Sequence, residues 1–447
     1  MVANNFEIQI KNFNDYDCVN YRLVLFQGTI RLNSSDCNEI NGNVLCCSNG
    51  TIVKWPVSNG LFKCLAQLIP GLNEVKLTYE GVVKTLLVNF EVHETDQFVV
   101  PVYFIPKDHD GRFQSPQGVD NNEESAIARI GFGMLMIQSL FAEIIGERNF
   151  PRKSFQLEKD LFPKAPPCRL FKSSLSVDEV VKMSDEELWE EVGRELMLSN
   201  LGSEKKKFVC FISCTLWNGH TVLANPALGG GGLALLGSGS LHTWPTSLTE
   251  TVSSLTNDKK LEPYLLDNSC FRGTYCGAFA TSLGSTAHEM GHIFNLGHTR
   301  SGLMSRGFDN AHLLFIQASS GKDNGGDELV PCLIEGKQIL KPTAIHQIRP
   351  QEAHLTFLES GCAGILAYHC WFNPTSQAFP IRYNKLRHIV ESEGASLKVV
   401  QVRGEQGAVR RSWELRGSGK QLVVPSGHEG ATLIAINSSG TILIEVL

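Results

Sequence analysis

The stretch from Thr281 to Arg306 reads TSLGSTAHEMGHIFNLGHTRSGLMSR, and the rest of the sequence is interpreted around it. Its centre is an HExxH motif, in which His288 and His292 are four residues apart and Glu289 follows the first histidine. On a helix, residues four apart lie on one face, so both imidazoles would point the same way. This spacing suits two nitrogen ligands of one tetrahedral Zn²⁺, with Glu289 placed to hold a water molecule without binding the metal.

A third ligand has to come from outside the helix, and His298 lies at a suitable distance along the chain. The chain must first leave the helix and fold back toward the metal. Asn295-Leu296-Gly297 permits this, because glycine and asparagine accept the left-handed conformation that ends helices. The sequence therefore predicts one Zn²⁺ ion held by three histidines.

The same positions resemble the metzincins, a family of zinc peptidases whose pattern is HExxHxxGxxH followed by a Met-turn. The family glycine is replaced here by Asn295, and no tyrosine follows the turn, so no tyrosine ligand is expected. The resemblance implies zinc ligation by His288, His292 and His298, catalysis by Glu289, and an apolar floor beneath the imidazoles from Met304 in the Met-turn.

A narrower resemblance rests on the run LGHTRSGLMSRGFD and on the glycine-rich stretch that ends at Trp244-Pro245. In these segments the chain is similar to an uncharacterised family of eukaryotic zinc metallopeptidases, some fungal members of which carry a lectin-like domain. This similarity implies nothing about the substrate.

The amino-acid composition limits the number of domains and the classes of partner that are expected for this chain. A chain of 447 residues with 42% hydrophobic and 19% charged residues is expected to form two or three domains. A net charge of −6 without a basic cluster argues against nucleic acid as a partner. The apolar segment from Ile130 to Ala142 is too short to cross a bilayer, so no membrane association is expected.

From the beginning of the chain and its cysteines we expect an intracellular, cytoplasmic protein. MVANNFEIQIKN does not resemble a signal peptide. The 13 cysteines are odd in number and scattered through strand-like runs, which is typical of reduced, buried thiols. A bridge between Cys270 and Cys276 stays open as an alternative.

Residues 1–96 are predicted to form a β-sandwich, because short alternating apolar runs are separated by Asn, Gly, Ser and Pro. Residues 374–447 show the same pattern and predict a second, smaller β-sandwich. Such modules could bind a protein or glycan partner, although a structural role is the simpler interpretation. The predicted strands are Phe6–Ile10, Tyr21–Phe26, Thr51–Val57, Phe62–Leu68, Val75–Tyr79 and Lys84–Val92 in the first, and Arg387–Val390, Leu397–Val402, Val409–Leu415, Gln421–Val424, Thr432–Asn437 and Thr441–Val446 in the second.

Residues 97–373 alternate between strand-like and helical patterns, which predicts an α/β (α+β) domain. The resemblance to the metzincins implies that this domain is a catalytic domain of the zincin or metzincin type. The multidomain fold is thus an α/β centre flanked by two all-β modules. Capping boxes start helices at Ser176 and Ser184. The remaining predicted elements are strands Phe98–Phe104 and Phe208–Cys214, a helix from Glu123 to Glu147, a helix from Arg349 to Ser360, and a closing segment from Cys362 to Phe372.

A glycine-rich run, Gly229 to Gly239, lacks the Gly-Lys-Ser/Thr ending of a phosphate-binding loop. The apolar residues within it are predicted to form the sheet edge beside the cleft, where an extended substrate would add as another strand. A glycine-rich surface loop is the alternative. The substrate-binding residues on this interpretation are Leu233, Ala234, Leu235 and Leu236.

The predicted function is hydrolysis of a polypeptide substrate by a zinc-activated water, with Glu289 as general base. Two alternatives stay open on the sequence. One is a catalytically silent zinc-containing scaffold whose β modules bind a protein or a glycan. The other is a zinc hydrolase that acts on amides other than peptides.

Overall fold

A computed structural model describes residues 6–32, 40–158, 167–317, 329–334, 337–342, 355–374 and 377–447. Three structural parts follow one another along the chain: a large antiparallel β-sheet, an α/β layer structure, and a pair of smaller sheets. This is the mixed, multipart architecture that the sequence predicts. The division of the chain at residues 96 and 373 stays a prediction.

The N-terminal part is an eight-stranded sheet with the order β1-β3-β6-β5-β4-β7-β8-β2. All six predicted strands are present, with boundaries shifted by a few residues, and β2 and β4 are additional. The eight strands form one continuous hydrogen-bonded sheet, whereas the predicted sandwich would consist of two sheets. The strands are β1 (Phe6–Ile10), β2 (Asp17–Val19), β3 (Leu23–Leu32), β4 (Gly42–Ser48), β5 (Thr51–Ser58), β6 (Leu61–Gln67), β7 (Gly71–Tyr79) and β8 (Val82–Phe90).

The central part contains a five-stranded sheet with the order β10-β9-β11-β15-β14. The first four of these strands are parallel, and β14 joins β15 in an antiparallel hairpin at the edge. A two-residue turn of Gly231 and Gly232 links them, and Gly231 has the positive φ of +50° that such turns require. The strands of this part are β9 (Phe98–Ile105), β10 (Arg169–Lys172), β11 (Lys206–Ile212), β12 (Leu216–Trp217), β13 (Val222–Leu223), β14 (Ala227–Gly230) and β15 (Leu233–Gly237).

Helices cover both faces of the five-stranded sheet. In β9, Val99 and Tyr103 belong to the apolar cluster that contains α1 and α5. Val100 and Val102 face the other way and pack with α3, as the period-two alternation of a strand requires. The helices are α1 (Glu123–Gly146), α2 (Val177–Lys182), α3 (Asp185–Leu198), α4 (Leu248–Thr256), α5 (Tyr275–Ile293), α6 (His312–Phe315) and α7 (Ser360–Tyr368).

Local signals in the sequence explain where several helices begin. Ser176 and Ser184 form capping boxes with Glu179 and Glu187, which confirms both predicted starts. Asn122 caps α1 by accepting a hydrogen bond from the backbone N–H of Ser125. These caps satisfy backbone donors that a helix end would otherwise leave unpaired.

The predicted helix from Arg349 to Ser360 is wrong in its described part. Residues 349–354 lie outside the described residues, and residues 355–359 are not helical. The Phe357 carbonyl instead accepts a hydrogen bond from the Leu303 N–H, at 2.7 Å. This pairing holds the chain extended, and α7 begins only at Ser360, within the segment that was expected to close the domain.

Helix α1 is long and apolar enough to cross a membrane by length and composition, yet 83% of its most apolar stretch is buried inside the protein. One buried face contacts the N-terminal sheet, where the Ser139 hydroxyl donates to the Leu23 carbonyl. The other contacts the helices of the central part. Helix α1 is therefore the core helix that joins the first two parts of the molecule.

The C-terminal part consists of two antiparallel sheets with the orders β18-β19-β22 and β21-β20-β23-β24. They enclose an apolar core of their own, as expected for a small sandwich. The six predicted strands are present, and β18 is additional. The strands are β18 (Ile381–Asn384), β19 (Ile389–Ser392), β20 (Leu397–Arg403), β21 (Val409–Glu414), β22 (Gln421–Val423), β23 (Thr432–Asn437) and β24 (Ile442–Val446), and an isolated hairpin of β16 (Leu329–Ile334) and β17 (Lys337–Pro342) precedes them.

Eleven cysteines, those whose side chains the structure describes, are free thiols. Cys270 and Cys276, the pair that the sequence left open as a bridge, are among them. These eleven residues thus form no disulfide, in agreement with the expected reduced thiols.

A buried carboxylate joins α1 to the N-terminal sheet. The Glu143 side chain is fully buried, receives hydrogen bonds from the side chains of Asn12 and Gln27, and forms an ion pair with Arg152 at 3.1 Å. Burial raises its pKa to about 7, although Arg152 opposes the shift. The native state therefore keeps a proton on Glu143 at pH values where the unfolded chain has released it.

We expect Glu143→Gln to change how stability depends on pH. Between pH 5 and 8 the wild type must deprotonate a buried acid, so its free energy of unfolding falls as pH rises, by up to about 3 kcal/mol from this group. The glutamine variant lacks this titration. Urea unfolding of the metal-free protein at several pH values measures the difference, and Glu124→Gln, at an exposed position of α1, serves as control. Parallel pH profiles for wild type and Glu143→Gln would contradict the assignment.

Candidate metal centre

Helix α5 carries the first two histidines of the HExxH motif. It begins at Thr274, whose side chain accepts a hydrogen bond from the Gly277 N–H, and it runs from Tyr275 to Ile293. His288 and His292 are four positions apart on this helix, so their rings lie on one face, with ring centroids 4.8 Å apart. The prediction of a helix at the motif is confirmed, and the helix begins twelve residues before the first expected position, Ala287.

The chain reverses direction directly after α5. Asn295 adopts the left-handed conformation, with φ at 62°, and the Leu296 N–H donates to the Gly291 carbonyl. This turn brings His298 back beside the helix, as its Asn-Leu-Gly sequence predicts. The Nε2 atom of His292 lies 3.1 Å from that of His288 and 3.1 Å from that of His298.

The second nitrogen of each ring contacts a main-chain carbonyl. The Nδ1 atom of His288 lies 2.8 Å from the Leu303 oxygen, that of His292 3.0 Å from the Leu296 oxygen, and that of His298 2.8 Å from the Gln406 oxygen. A carbonyl can only accept, so each ring carries its proton on Nδ1. The three Nε2 atoms face one another on the opposite side of the rings.

This donor set fits a cation. Burial lowers the pKa of His288 and of His292 to about 4, so both rings are neutral near pH 7. Neutral imidazoles with a carbonyl partner at the far nitrogen are the usual form of histidine ligands. Tetrahedral zinc–nitrogen bonds of about 2.0–2.1 Å would separate the nitrogens by roughly 3.3 Å. The three ligand atoms lie within 4.8 Å of one another, and His298 is the most exposed of the three residues.

Glu289 lies beside this cluster on the next position of α5. It is half-buried, and desolvation raises the pKa of its carboxyl to about 7, while a hydrogen bond with the Gly229 backbone opposes the shift. Such a group can accept a proton and release it again near neutral pH. The structure therefore places a carboxyl next to the three histidines without making it part of their donor set.

The predicted substrate-binding residues need a correction. Leu233–Leu236 do not form the sheet edge, because β15 is paired on one side with β11 and on the other with β14. All four residues are buried. The edge strand is β14, Ala227–Gly230, which the sequence did not suggest because an Ala-Leu-Gly-Gly run has low strand propensity. Its pairing in the hairpin makes it a strand.

The open edge of β14 presents backbone groups next to the site. The Gly237 N–H donates to the Pro226 carbonyl, so in this antiparallel pair the N–H and C=O of Ala227 and Gly229 point away from β15. Gly229 lies against α5, where an added Cβ would be 2.2 Å from the Glu289 carbonyl oxygen. Only glycine permits this approach of the edge strand to the helix.

Met304 lies beneath the histidines. The side chain is 1% exposed, and a Cβ on Gly291 would be 2.4 Å from its sulfur, so the thioether fills the space beside α5 between the two motif histidines. The Thr299 N–H donates to the Met304 carbonyl and closes the turn that carries it. The role of Met304 as a Met-turn residue stays a prediction.

A small cavity of about 60 Å³ lies beside the middle of α5, between the helix and the β14–β15 hairpin. Ser282 and Ser285 line it, and they share a helix face with Glu289 because they precede it by seven and four residues. Trp244 closes the far wall and Pro226 borders it from the hairpin. The cavity is lined mainly by small polar groups where it faces the helix.

Sequence reasoning missed the three carbonyl partners of the histidines and the edge strand. The carbonyls of Leu296, Leu303 and Gln406 leave no mark in the sequence, because any residue supplies a main-chain oxygen. The signal for the edge strand was the close pair Gly229-Gly230 followed by two more glycines, which is compatible with a hairpin turn.

Comparison with known proteins gives two kinds of match. A sequence profile described as "Putative peptidase family" matches residues 7–335. A protein of Schizosaccharomyces pombe named "Putative zinc metalloproteinase" is 23% identical over 323 residues, which cover 68% of this chain and 52% of that protein. One of Saccharomyces cerevisiae with the same description is 25% identical over 299 residues, covering 59% of this chain and 43% of that protein. The chain thus spans about half the length of these curated relatives.

We expect Gly229→Ala to destabilise the protein by about 1–3 kcal/mol, because the new methyl group overlaps the α5 backbone and must push the edge strand away. Thermal unfolding measures the loss. Gly230→Ala is the matched control, since a Cβ at the neighbouring position meets nothing within 4 Å. Equal melting temperatures for the two variants would show that β14 does not approach α5 as described.

Proposed function

The chain belongs to the peptidase family whose profile matches it, and from this premise we propose that it is a zinc-dependent endopeptidase that hydrolyses peptide bonds in polypeptides. The observation that carries the proposal is the convergence of three histidine nitrogens, each ring held by a main-chain carbonyl, next to the helix position that carries Glu289. The names of the two yeast proteins support the same reaction class.

On this proposal, His288, His292 and His298 hold one Zn²⁺ ion. When bound, the ion supplies Lewis acidity for the scissile carbonyl and lowers the pKa of water near it toward 7. The three main-chain carbonyls keep the rings from turning and hold the proton of each imidazole on Nδ1. The protein thereby prepares the site before the metal arrives.

Glu289 is the general base of the proposed reaction. Its carboxylate accepts a proton from the attacking water, and the same oxygen then delivers that proton to the leaving amine nitrogen. The Gly229 backbone, which is hydrogen-bonded to the carboxylate, fixes its direction. Met304 takes no part in proton transfer and acts as the apolar floor of a metzincin-type site.

The substrate is proposed to bind as an extended strand along β14. The outward N–H and C=O groups of Ala227 are available for main-chain pairing, which recognises a polypeptide by its backbone and tolerates many side chains. The outward N–H of Gly229 is hydrogen-bonded to the Glu289 carboxylate instead. A substrate strand laid there runs past Glu289, which adjoins Gly229. This places the recognition site one strand further out than the sequence suggested.

The proposed site of action is a reducing, intracellular compartment, and the free thiols of the described residues support it. The competing scaffold hypothesis assigns the β modules to a protein or glycan partner and leaves Glu289 without a role. No contact in the described residues favours that hypothesis, and the Glu289 experiment below separates it from a peptidase.

We expect Glu289→Gln to keep one zinc ion per chain and to lose about 10²- to 10⁴-fold in peptidase rate, because the amide cannot accept the proton from water. Metal content and cleavage of a denatured protein mixture, with and without chelator, measure the two effects. A glutamine variant that cleaves at the wild-type rate would exclude the proposed mechanism.

His298→Ala serves as the contrasting variant. It removes one of three nitrogen donors, so its main effect should be a loss of zinc affinity. The loss should exceed the factor of about 10 to 100 that removal of a hydrogen-bond partner of a ligand costs. A zinc content that is unchanged at limiting metal concentration would remove His298 from the site.

We expect Ala227→Pro to raise the Michaelis constant roughly 2- to 10-fold without loss of zinc. Proline deletes one outward N–H, and a hydrogen bond contributes about 0.5–1.5 kcal/mol. The change is compatible with an edge strand because that N–H does not pair with β15. Ala227→Gly keeps the N–H and is the control. The same Michaelis constant in the proline variant would argue against strand addition at β14.

A further inference from the structure

The third histidine is held by the C-terminal part of the chain. Its Nδ1 contacts the Gln406 carbonyl at 2.8 Å, its N–H donates to the Gly407 carbonyl at 3.1 Å, and its carbonyl accepts from the Val409 N–H at 2.8 Å. Both the backbone and the ring of His298 are therefore fixed by the connection between β20 and β21. Residues 403–409, called here the clamp loop, lie beyond the segment that the family profile matches.

The clamp loop has a conformation that directs its carbonyl at the ring. Gln406 has a positive φ of 53°, which costs energy for a residue other than glycine, and Gly407 follows with φ at 72°. The side chain of Gln406 is exposed. The backbone geometry, and not the glutamine side chain, supplies the contact.

The turn before His298 is tied to the same part of the molecule. The guanidinium of Arg403, which is 6% exposed, donates to the Asn295 carbonyl at 2.7 Å and to the Gln401 side chain. A buried guanidinium requires such partners, so this contact resists separation. At Gly297, the three atoms nearest to an added Cβ belong to Gly407 and Arg403, at 2.4–2.8 Å.

A second residue outside the matched segment supports the turn from the other side. His369, at the end of α7, accepts a hydrogen bond from the Trp371 N–H at Nδ1, so its proton is on Nε2 and is donated to the Asn295 side-chain oxygen at 3.2 Å. This contact gives a reason for asparagine at the position where the metzincin pattern has glycine. The left-handed turn is held through its backbone and through its side chain.

We propose that the C-terminal β module is an integral part of the metal centre, in which the clamp loop positions His298 and thereby sets the affinity for Zn²⁺. The inference rests on the proposed zinc site and adds the residues that complete it. Arg403 and Gln406 are positioning residues, since neither belongs to the donor set. Metal binding and docking of the C-terminal module are then thermodynamically linked, and each stabilises the other.

The test measures zinc affinity of the full chain by competition with a chromophoric chelator. Gln406→Pro cannot adopt a positive φ and should turn the carbonyl away from His298, weakening zinc binding about 10- to 100-fold. Gly297→Ala should have the same effect, because its methyl group displaces the clamp loop. Glu405→Ala, at an exposed side chain of the loop, is the matched control and should bind zinc as tightly as the wild type.

Two further readouts separate positioning from general damage. The metal-free variants should still unfold in one cooperative thermal transition, with a loss of stability no larger than the one expected for Gly229→Ala. The visible absorption of the Co²⁺-loaded protein should change, because it reports coordination geometry. If Gln406→Pro unfolds, Gly297→Ala decides the question.

The outcomes distinguish this inference from the proposed function. If the wild type and both variants bind zinc equally tightly, the clamp loop has no role in the metal centre. The peptidase proposal would still stand. A wild type that binds no zinc overturns both. Weakened zinc affinity in the two variants, with the fold retained and the control unaffected, supports the clamp loop as part of the centre.

Discussion

The site depends on three hydrogen bonds from imidazole N–H groups to main-chain carbonyls. They hold the rings of His288, His292 and His298 in orientation, and so bring three Nε2 atoms together. The acceptors lie in three separate places: the turn after α5, the Met304 turn and the connection between β20 and β21. Positioning these carbonyls requires α5 to be anchored on a rigid sheet and the C-terminal module to be docked. The architecture around the site serves this one requirement.

The sequence predicted the structure correctly where the residue types of a motif and the spacing between them indicate the same element. The spacing of His288 and His292 predicts a helix with both rings on one face, and Asn295 predicts the left-handed turn that returns His298. Strong local signals, such as the capping boxes at Ser176 and Ser184, also correspond to the structure. These features are encoded by residues close together in the chain, so one sequence is enough to recognise them.

Features that depend on pairing between distant segments were not predictable in the same way. Leu233–Leu236 have the apolar character of a strand, but nothing in them tells whether β14 covers their outer side. Residues 355–359 were expected to be helical, yet the Leu303 N–H takes up the Phe357 carbonyl and keeps them extended. The contact of the Gln406 carbonyl with His298 could not be predicted either, because a main-chain oxygen is the same for every residue type. In each case a long-range contact decided the outcome against local preference.

The contact between His298 and Gln406 joins residues 108 positions apart in the chain. During synthesis on a ribosome, the HExxH helix and its turn emerge long before the clamp loop does. On the proposed arrangement, the nascent chain passes through a stage in which two imidazoles are in place and the third is still free to rotate. Acquisition of the metal would then be a late event of biogenesis, and a partly made chain would have little capacity to cleave its neighbours.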